Sequence, residues 1–243
     1  IGGLCAAIGL RRAGFEVRVY ERAEVIQPLG AGLTLQPNAL LALRRMGIGE
    51  AIEAEGAPLR AGAVLRWDGS PLMNVPEAAV AELVRELGAG ILGIHRATLH
   101  AALLRELGGD VVQLGRAATG FSVMGERVRL HFEGAADAVC DALIGADGLH
   151  SVVRGQLHGA GAPVYAGYTS FRGVTHDRCG LPADFGGELW GRGRRFGGCC
   201  IDGGRFYWFA TLDAPQGERH ASPVEQRPRC SRCSPISAPR FPR

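Results

Sequence analysis

The apolar positions of this chain change period several times, and each change marks an element. Leu4, Ala6, Ala7, Ile8 and Leu10 follow Gly2 and Gly3 at helical spacing. Arg11 and Arg12 fall in the last turn, where cations suit the helix dipole, and Gly14 supplies the stop. Phe15, Val17 and Val19 then alternate with Glu16 and Arg18, which is the period of a strand, and Glu21 stands at its end. Residues 23–36 form a Gly-rich connection. Pro37 suits a helix start, and Leu40, Leu41 and Leu43 lead to a stop at Gly47. Residues 60–76 predict a hairpin: Ala63–Trp67, an Asp68-Gly69 turn, then Pro71–Val75. From Glu77 to Gly93 the chain is compatible with a helix but weakly patterned.

A second clear helix begins at His95-Arg96. Leu99, Leu103, Leu104 and Leu107 line one face, and Gly108-Gly109 ends it. Short strands are predicted at Val111–Leu114, Ala117–Val123 and, after a Gly125-Glu126 turn, Arg127–Phe132. Ala142–Gly148 reads as a short apolar strand ending in Gly and Asp. From Pro163 the character shifts to aromatic, alternating segments (Tyr165–Val174, Glu188–Trp190, Arg205–Leu212) separated by Gly-rich turns, a β-rich layer. The pattern collapses near Glu218. The last 25 residues hold six Arg and five Pro without any period, as expected of a disordered tail or of coding sequence read in a shifted frame.

Composition narrows the class. A chain of 243 residues with 47% hydrophobic and 21% charged residues is an ordinary globular protein of one or two domains. The net charge of +3 argues for neither nucleic acid nor an acidic membrane as partner. All 27 basic residues are Arg, and with 37 Gly this suggests GC-rich coding sequence. No apolar run reaches the roughly 18 residues of a membrane span. Seven scattered cysteines fit a reducing, cytoplasmic setting. Cys5 and Cys140 read as small core residues. Cys230 and Cys233 have redox or metal spacing but no second pair, so no metal site is expected.

Two stretches carry chemistry. The helix, strand and acid of residues 1–22 match the second half of a dinucleotide-binding βαβ unit. There a Gly-rich turn precedes the helix, whose N–H groups hold a pyrophosphate, and an acid some twenty residues on accepts ribose hydroxyls. Gly3 would be its last glycine, and Glu21 follows it by eighteen residues. The chain thus begins inside the motif, without the preceding strand and glycines. The second stretch is Gly145-Ala-Asp147-Gly148-Leu-His-Ser151-Val-Val-Arg154. It predicts a strand that delivers Asp147 to its carboxyl end, a Gly148 that lets backbone approach a ligand, and a Ser151 cap that places Arg154 on the next helix.

That second stretch resembles the Asp-Gly motif of the class A flavoprotein monooxygenases, the p-hydroxybenzoate hydroxylase-like family. VYER at 19–22, GAGLTLQPNALLALRRMG at 30–47, IHRATLHAALL at 94–104 and GYTSFRGV at 167–174 resemble the family in order. The segment from Trp190 to Pro215 looks most like the branch of salicylate, 3-hydroxybenzoate and urate hydroxylases and zeaxanthin epoxidase. The resemblance implies an α/β fold: a Rossmann-like, three-layer FAD-binding domain (1–162, with the hairpin at 60–76 inserted), a β-sheet substrate layer (163–217) and the tail (218–243). It implies that Gly2 and Gly3 flank FAD and that Glu21 binds its adenosine ribose with Arg22 beside it. Arg96 would reach the pyrophosphate. Asp147, with Gly148 and Arg154, would sit near the pyrophosphate and ribityl chain. The implied chemistry is reduction of FAD by NADH or NADPH, capture of O2 as a C4a-hydroperoxyflavin, and hydroxylation or epoxidation of an aromatic or similar electron-rich small molecule. Arg172, Arg195 and Tyr207 are the candidates for the substrate side, two guanidinium groups to hold an anion and a phenol to orient a ring or move its proton.

The departures from the family also set expectations. The glycine fingerprint is cut, a second FAD motif of Gly-Asp-Ala-His type is absent, and Cys199-Cys200-Ile201 stands where the branch usually has a Pro. Weak FAD binding and low turnover are therefore expected of this chain, and an exposed sheet edge leaves room for a homo-oligomer. The rival readings are an inactive fragment or binding-only remnant, and a Rossmann-type enzyme using NAD(P) alone.

Overall fold

Gly2–Arg12 is a helix, as its apolar spacing predicts, and it buries Leu4, Ala7 and Ile8. Gly14 follows at φ +90°, a backbone state that only glycine adopts without strain. The computed structural model describes residues 1–28, 30–178, 180–202 and 204–217. The tail beyond Gly217, with Cys230 and Cys233, lies outside the described residues. The chain divides into two compact units, the first made of residues 1–28 and 100–164, the second of residues 29–99 and the chain from Tyr165 onward. Neither unit is continuous in sequence; the sequence alone suggests boundaries at 162/163 and 217/218.

In the first unit, the expected strand from Phe15 to Val19 is reduced to Val19–Tyr20, which pairs in parallel with Val112–Gln113. Phe15 is 62% exposed. Alternation makes a segment competent for a ladder, but the strand extends only as far as it has a partner. Ala118–Met124, Arg127–Phe132 and Ala138–Cys140 form an antiparallel three-stranded sheet with Arg127–Phe132 in the middle. The first two strands are as predicted; Ala138–Cys140 is not visible in the pattern. Tyr20 and Phe132 pack ring to ring at 4.8 Å. The strand expected over Ala142–Gly148 is absent. No ladder engages it among the described residues, and Ile144 is 57% exposed. The helix Val152–His158 follows it.

The second unit holds two sheets. Gly32–Leu35, Ile91–His95 and Ala57–Leu59 form an antiparallel sheet with Ile91–His95 central. Two of these strands arise where the sequence reads as connection (23–36) and as helix (77–93). Within the latter the helix is confined to Glu77–Leu87 and ends at Gly88, φ +75°. The larger sheet has six strands in the order Tyr168–Thr175, Phe206–Asp213, Arg194–Cys200, Phe185–Gly191, Ala61–Arg66 and Pro71–Val75. The predicted hairpin thus supplies the last two strands of the β-rich layer. Ala61–Arg66 joins it in parallel to Phe185–Gly191, the one parallel pair in this sheet among the described residues. One face of the sheet is apolar: Ala63, Leu65, Phe185 and Leu189 form a buried cluster that Phe196 and Trp67 flank. Fully burying a Leu or Phe side chain stabilises by about 1.5–3 kcal/mol. The helix Pro37–Arg45, with Pro37 in its first turn, buries Leu40 and Leu43, and Gly47 turns the chain at φ +67°. The helix Arg96–Leu107 follows Ile91–His95 directly; Leu99, Ala102, Leu103 and Leu107 are buried along it.

Candidate active site

The start of Gly2–Arg12 has no side-chain cap, and its first turn lacks acidic residues. Helix N–H groups left without an internal partner make such an end an anion site. A Cβ added at Gly3 would lie 3.3 Å from Cβ of Ala146. Gly3 therefore lets the helix pack closely on the segment that ends in Asp147. Glu21 follows the short strand Val19–Tyr20; its backbone is held by Gln113 O and by the Arg116 N–H, both at 2.9 Å. Its Oε1 accepts the Ala23 N–H at 3.0 Å, and Arg22 is exposed beside it.

Asp147 holds the next helix in place. Its Oδ1 accepts the Ser151 hydroxyl at 2.5 Å, and its Oδ2 accepts the N–H groups of Val152 at 2.7 Å and Val153 at 3.3 Å. Ser151 Oγ in turn accepts the Arg154 N–H at 2.9 Å, the cap that the sequence predicts. Partial burial disfavours the carboxylate, but the hydrogen bonds from Ser151 and from the Val153 and Val152 amides prevail and hold the carboxyl below its usual range. Gly148 turns at φ +83°. Arg154 folds back to donate to the carbonyls of Gly148, at 3.3 Å, and Leu149. The first unit thus brings the helix start at Gly2 and Gly3 beside the segment that ends in the Asp147 turn, whose carboxyl is held below its usual range. These residues fit the phosphate-bearing half of a dinucleotide.

In the second unit, Arg96 opens its helix, and its N–H donates to Ala31 O at 3.0 Å. Gly30 (φ +136°) passes so close that a Cβ there would lie 3.0 Å from the Arg96 side chain. Strand register puts the three substrate-side candidates on one face of the six-stranded sheet. Arg172 lies opposite Phe209, Tyr207 opposite both Val174 and Cys199, and Arg195 opposite both Thr211 and Trp190. This is the face opposite the apolar cluster. Arg195 is engaged: it pairs with the Glu188 carboxylate and stacks over Trp190, with its Cζ 5.1 Å from that ring centre and 5.9 Å from that of Phe209. Trp190 Nε1 donates to the same Glu188 oxygen at 2.5 Å. Burial pushes the Tyr207 hydroxyl up, partly countered by the positive charge of Arg172 and reinforced by Cys199.

Glu188 and Trp190 escape sequence reasoning as partners of Arg195, because only cross-strand register shows that they meet it. The cluster of Asp202, Arg205 and His95 escapes sequence reasoning too. Asp202 accepts from Arg205 through both its amide, at 2.8 Å, and its Nε, at 2.6 Å, and the charges of both residues act on His95.

The FAD binding domain family matches residues 1–227. The aurachin C monooxygenase/isomerase of Stigmatella aurantiaca is 39% identical over 89% of the chain and 56% of its own length. The FAD-dependent urate hydroxylase of Klebsiella pneumoniae is 32% identical over the same shares. The structure of Klebsiella pneumoniae HpxO with FAD and uric acid superposes with a TM-score of 0.86 at 30% identity, covering 96% of this chain and 59% of that one. The chain therefore spans a little over half the length of these relatives. Because the family match takes in every described residue and the fold agrees, this chain belongs to the FAD binding domain family.

Proposed function

We propose that the chain is the cofactor-binding and substrate-sheet portion of a cytoplasmic, NAD(P)H-consuming flavin monooxygenase. Its substrate is an aromatic or similarly electron-rich small molecule, which it hydroxylates or epoxidises. The observation that carries this reading is the shared sheet face of Arg172, Tyr207 and Arg195, a row of cationic and phenolic groups among the rings of Phe209 and Trp190. Planar anionic or polar aromatic substrates suit such a face: rings stack on rings, and guanidinium groups donate paired hydrogen bonds.

In this reading Gly2, Gly3, Glu21, Arg22, Asp147, Gly148 and Arg154 would hold the adenosine and pyrophosphate of FAD, and Arg96 of the second unit is a further cofactor-binding residue. When bound, the flavin supplies the redox and oxygen-transfer chemistry. The protein's own role is to bind, orient and exclude water. Tyr207, already pushed toward its neutral form, donates a hydrogen bond to a substrate oxygen, and Arg172 beside it balances negative charge there. Arg195, held by Glu188 and Trp190, presents a fixed guanidinium edge. The names of the relatives support this class of substrate: urate for one and 3-amino-4-hydroxybenzoate for another.

The test is the visible spectrum of the purified chain after FAD addition and desalting, followed by NAD(P)H oxidation with a panel of aromatic acids. Flavin bands at about one FAD per chain, with substrate-stimulated oxidation that Tyr207→Phe lowers by about 10²-fold or more, support the reading. A colourless protein overturns FAD binding by this chain. A yellow one indifferent to Tyr207→Phe removes that residue from the chemistry.

A further inference from the structure

The three-stranded sheet of the first unit carries a second cluster, apart from the residues assigned above. Ser122 lies opposite Arg129 and His131 opposite Gly120, so Ser122 and His131 are diagonal neighbours on one face of a strand pair. Ser122 Oγ is 2.7 Å from Nε2 of His131, and Nδ1 of the same ring is 3.0 Å from Oδ2 of Asp137, just ahead of the strand Ala138–Cys140. An ionised carboxylate only accepts, so Nδ1 carries the proton and donates to Asp137. Nε2 of the neutral ring is then left as acceptor for the Ser122 hydroxyl. Serine, imidazole and carboxylate stand in the order, and through the ring atoms, that nucleophilic catalysis requires.

The backbone adds a donor. Phe121, at the outer edge of this sheet, turns its N–H and carbonyl outward, where the Gln156 amide takes both, at 2.9 and 2.5 Å. Backbone groups alternate sides along a strand, so the N–H of Val123 faces the same edge, one residue after Ser122.

We propose that Ser122, His131 and Asp137 form a second reactive centre, which is acylated by small activated esters. Ser122 Oγ bonds to the acyl carbon while its proton passes to Nε2 of His131. The ester C–O bond breaks, and His131 returns the proton to the departing alkoxide or phenolate. Water, deprotonated by the same ring, then cleaves the acyl-serine to a carboxylic acid and free Ser122. The side chains of His131 and Asp137 are 37% and 39% exposed, so the centre is open and suits small acyl groups.

The probe is p-nitrophenyl acetate, with acetylation mapped by peptide mass on the whole chain without FAD. The expected result is an acetyl group on the peptide holding Ser122, with none there in Ser122→Ala. His131→Gln and Asp137→Asn should slow acylation by at least about tenfold, because both keep a hydrogen-bonding side chain while losing the base or its orientation. Absence of acetyl-Ser122, or equal rates in His131→Gln and wild type, overturns the proposal and leaves a structural hydrogen-bond network. A fluorophosphonate label on the wild-type chain gives a second reading that needs no variant: label on Ser122 supports the triad, and label elsewhere or none overturns it.

Discussion

At Gly93 a Cβ would lie 2.0 Å from the Cys200 carbonyl oxygen, and at Gly32 one would lie 2.2 Å from Cβ of Tyr207. The first neighbour is backbone and cannot swing away, so Gly93→Ala must push apart strands that now touch. It is expected to destabilise the chain by about 1–3 kcal/mol, read as a lower urea midpoint at unchanged slope. Cys199, 4% exposed and opposite Tyr207, has its thiol pushed up to about 12, by burial first and by Cys200 second. The thiolate is the reactive form, so Cys199 should resist iodoacetamide at neutral pH in the folded chain and react on unfolding, as peptide mass would show.

Two helix starts give predictions at the scale of elements. Asp147 and Ser151 together satisfy three N–H groups of Val152–His158, so Asp147→Ala should fray that helix at a cost of about 1 kcal/mol, seen as lost amide protection at Val152 and Val153. The second start is His95, whose Nδ1 accepts the Ala97 N–H at 3.2 Å. Burial, then the Arg205 charge, pull its imidazole below the usual value against the opposing effect of Asp202. Folding therefore favours the neutral ring. The stability this lends is complete above the ordinary value of about 6.5 and is lost as pH falls through the lower folded value. Amide protection at Ala97 should drop on acidification in that window and stay unchanged in His95→Asn. These caps also show what a sequence makes legible. Ser151 is announced by local spacing, and so are the turns at Gly14, Gly47, Gly69, Gly108 and Gly125, each at positive φ where an element ends. The strand Arg194–Cys200 is not, because Gly197 and Gly198 break its alternation. They are there because Phe209 and the Tyr207 carbonyl come within 2.8 and 2.3 Å of where a Cβ would be. The apolar run Ala142–Gly148 misleads for the converse reason: it has the composition of a strand, and composition does not provide a partner.

For the whole molecule, the long-range order of motifs is readable where the discontinuous units are not. Family motifs are local and survive as strings. The assignment of residues 29–99 to the same unit as the chain beyond Tyr165 depends on pairings such as Ala61 with Phe185 and Trp190 with Arg66, which no local period encodes. The same contrast holds within the site: the Arg195–Glu188 pair is readable only once strands are paired, whereas the Asp147 turn is readable from local spacing. Those pairings have a consequence during synthesis. When Ala61–Arg66 leaves the ribosome, the strand it must join in parallel has not been made, and the apolar Ala63 and Leu65 must wait for Phe185 and Leu189. The hairpin emerges early, finished in shape but without its neighbour. Such high contact order slows folding and leaves a sticky edge on the nascent chain. Chaperone occupancy should accordingly rise after the hairpin emerges and fall only once Phe185–Gly191 is clear of the exit tunnel.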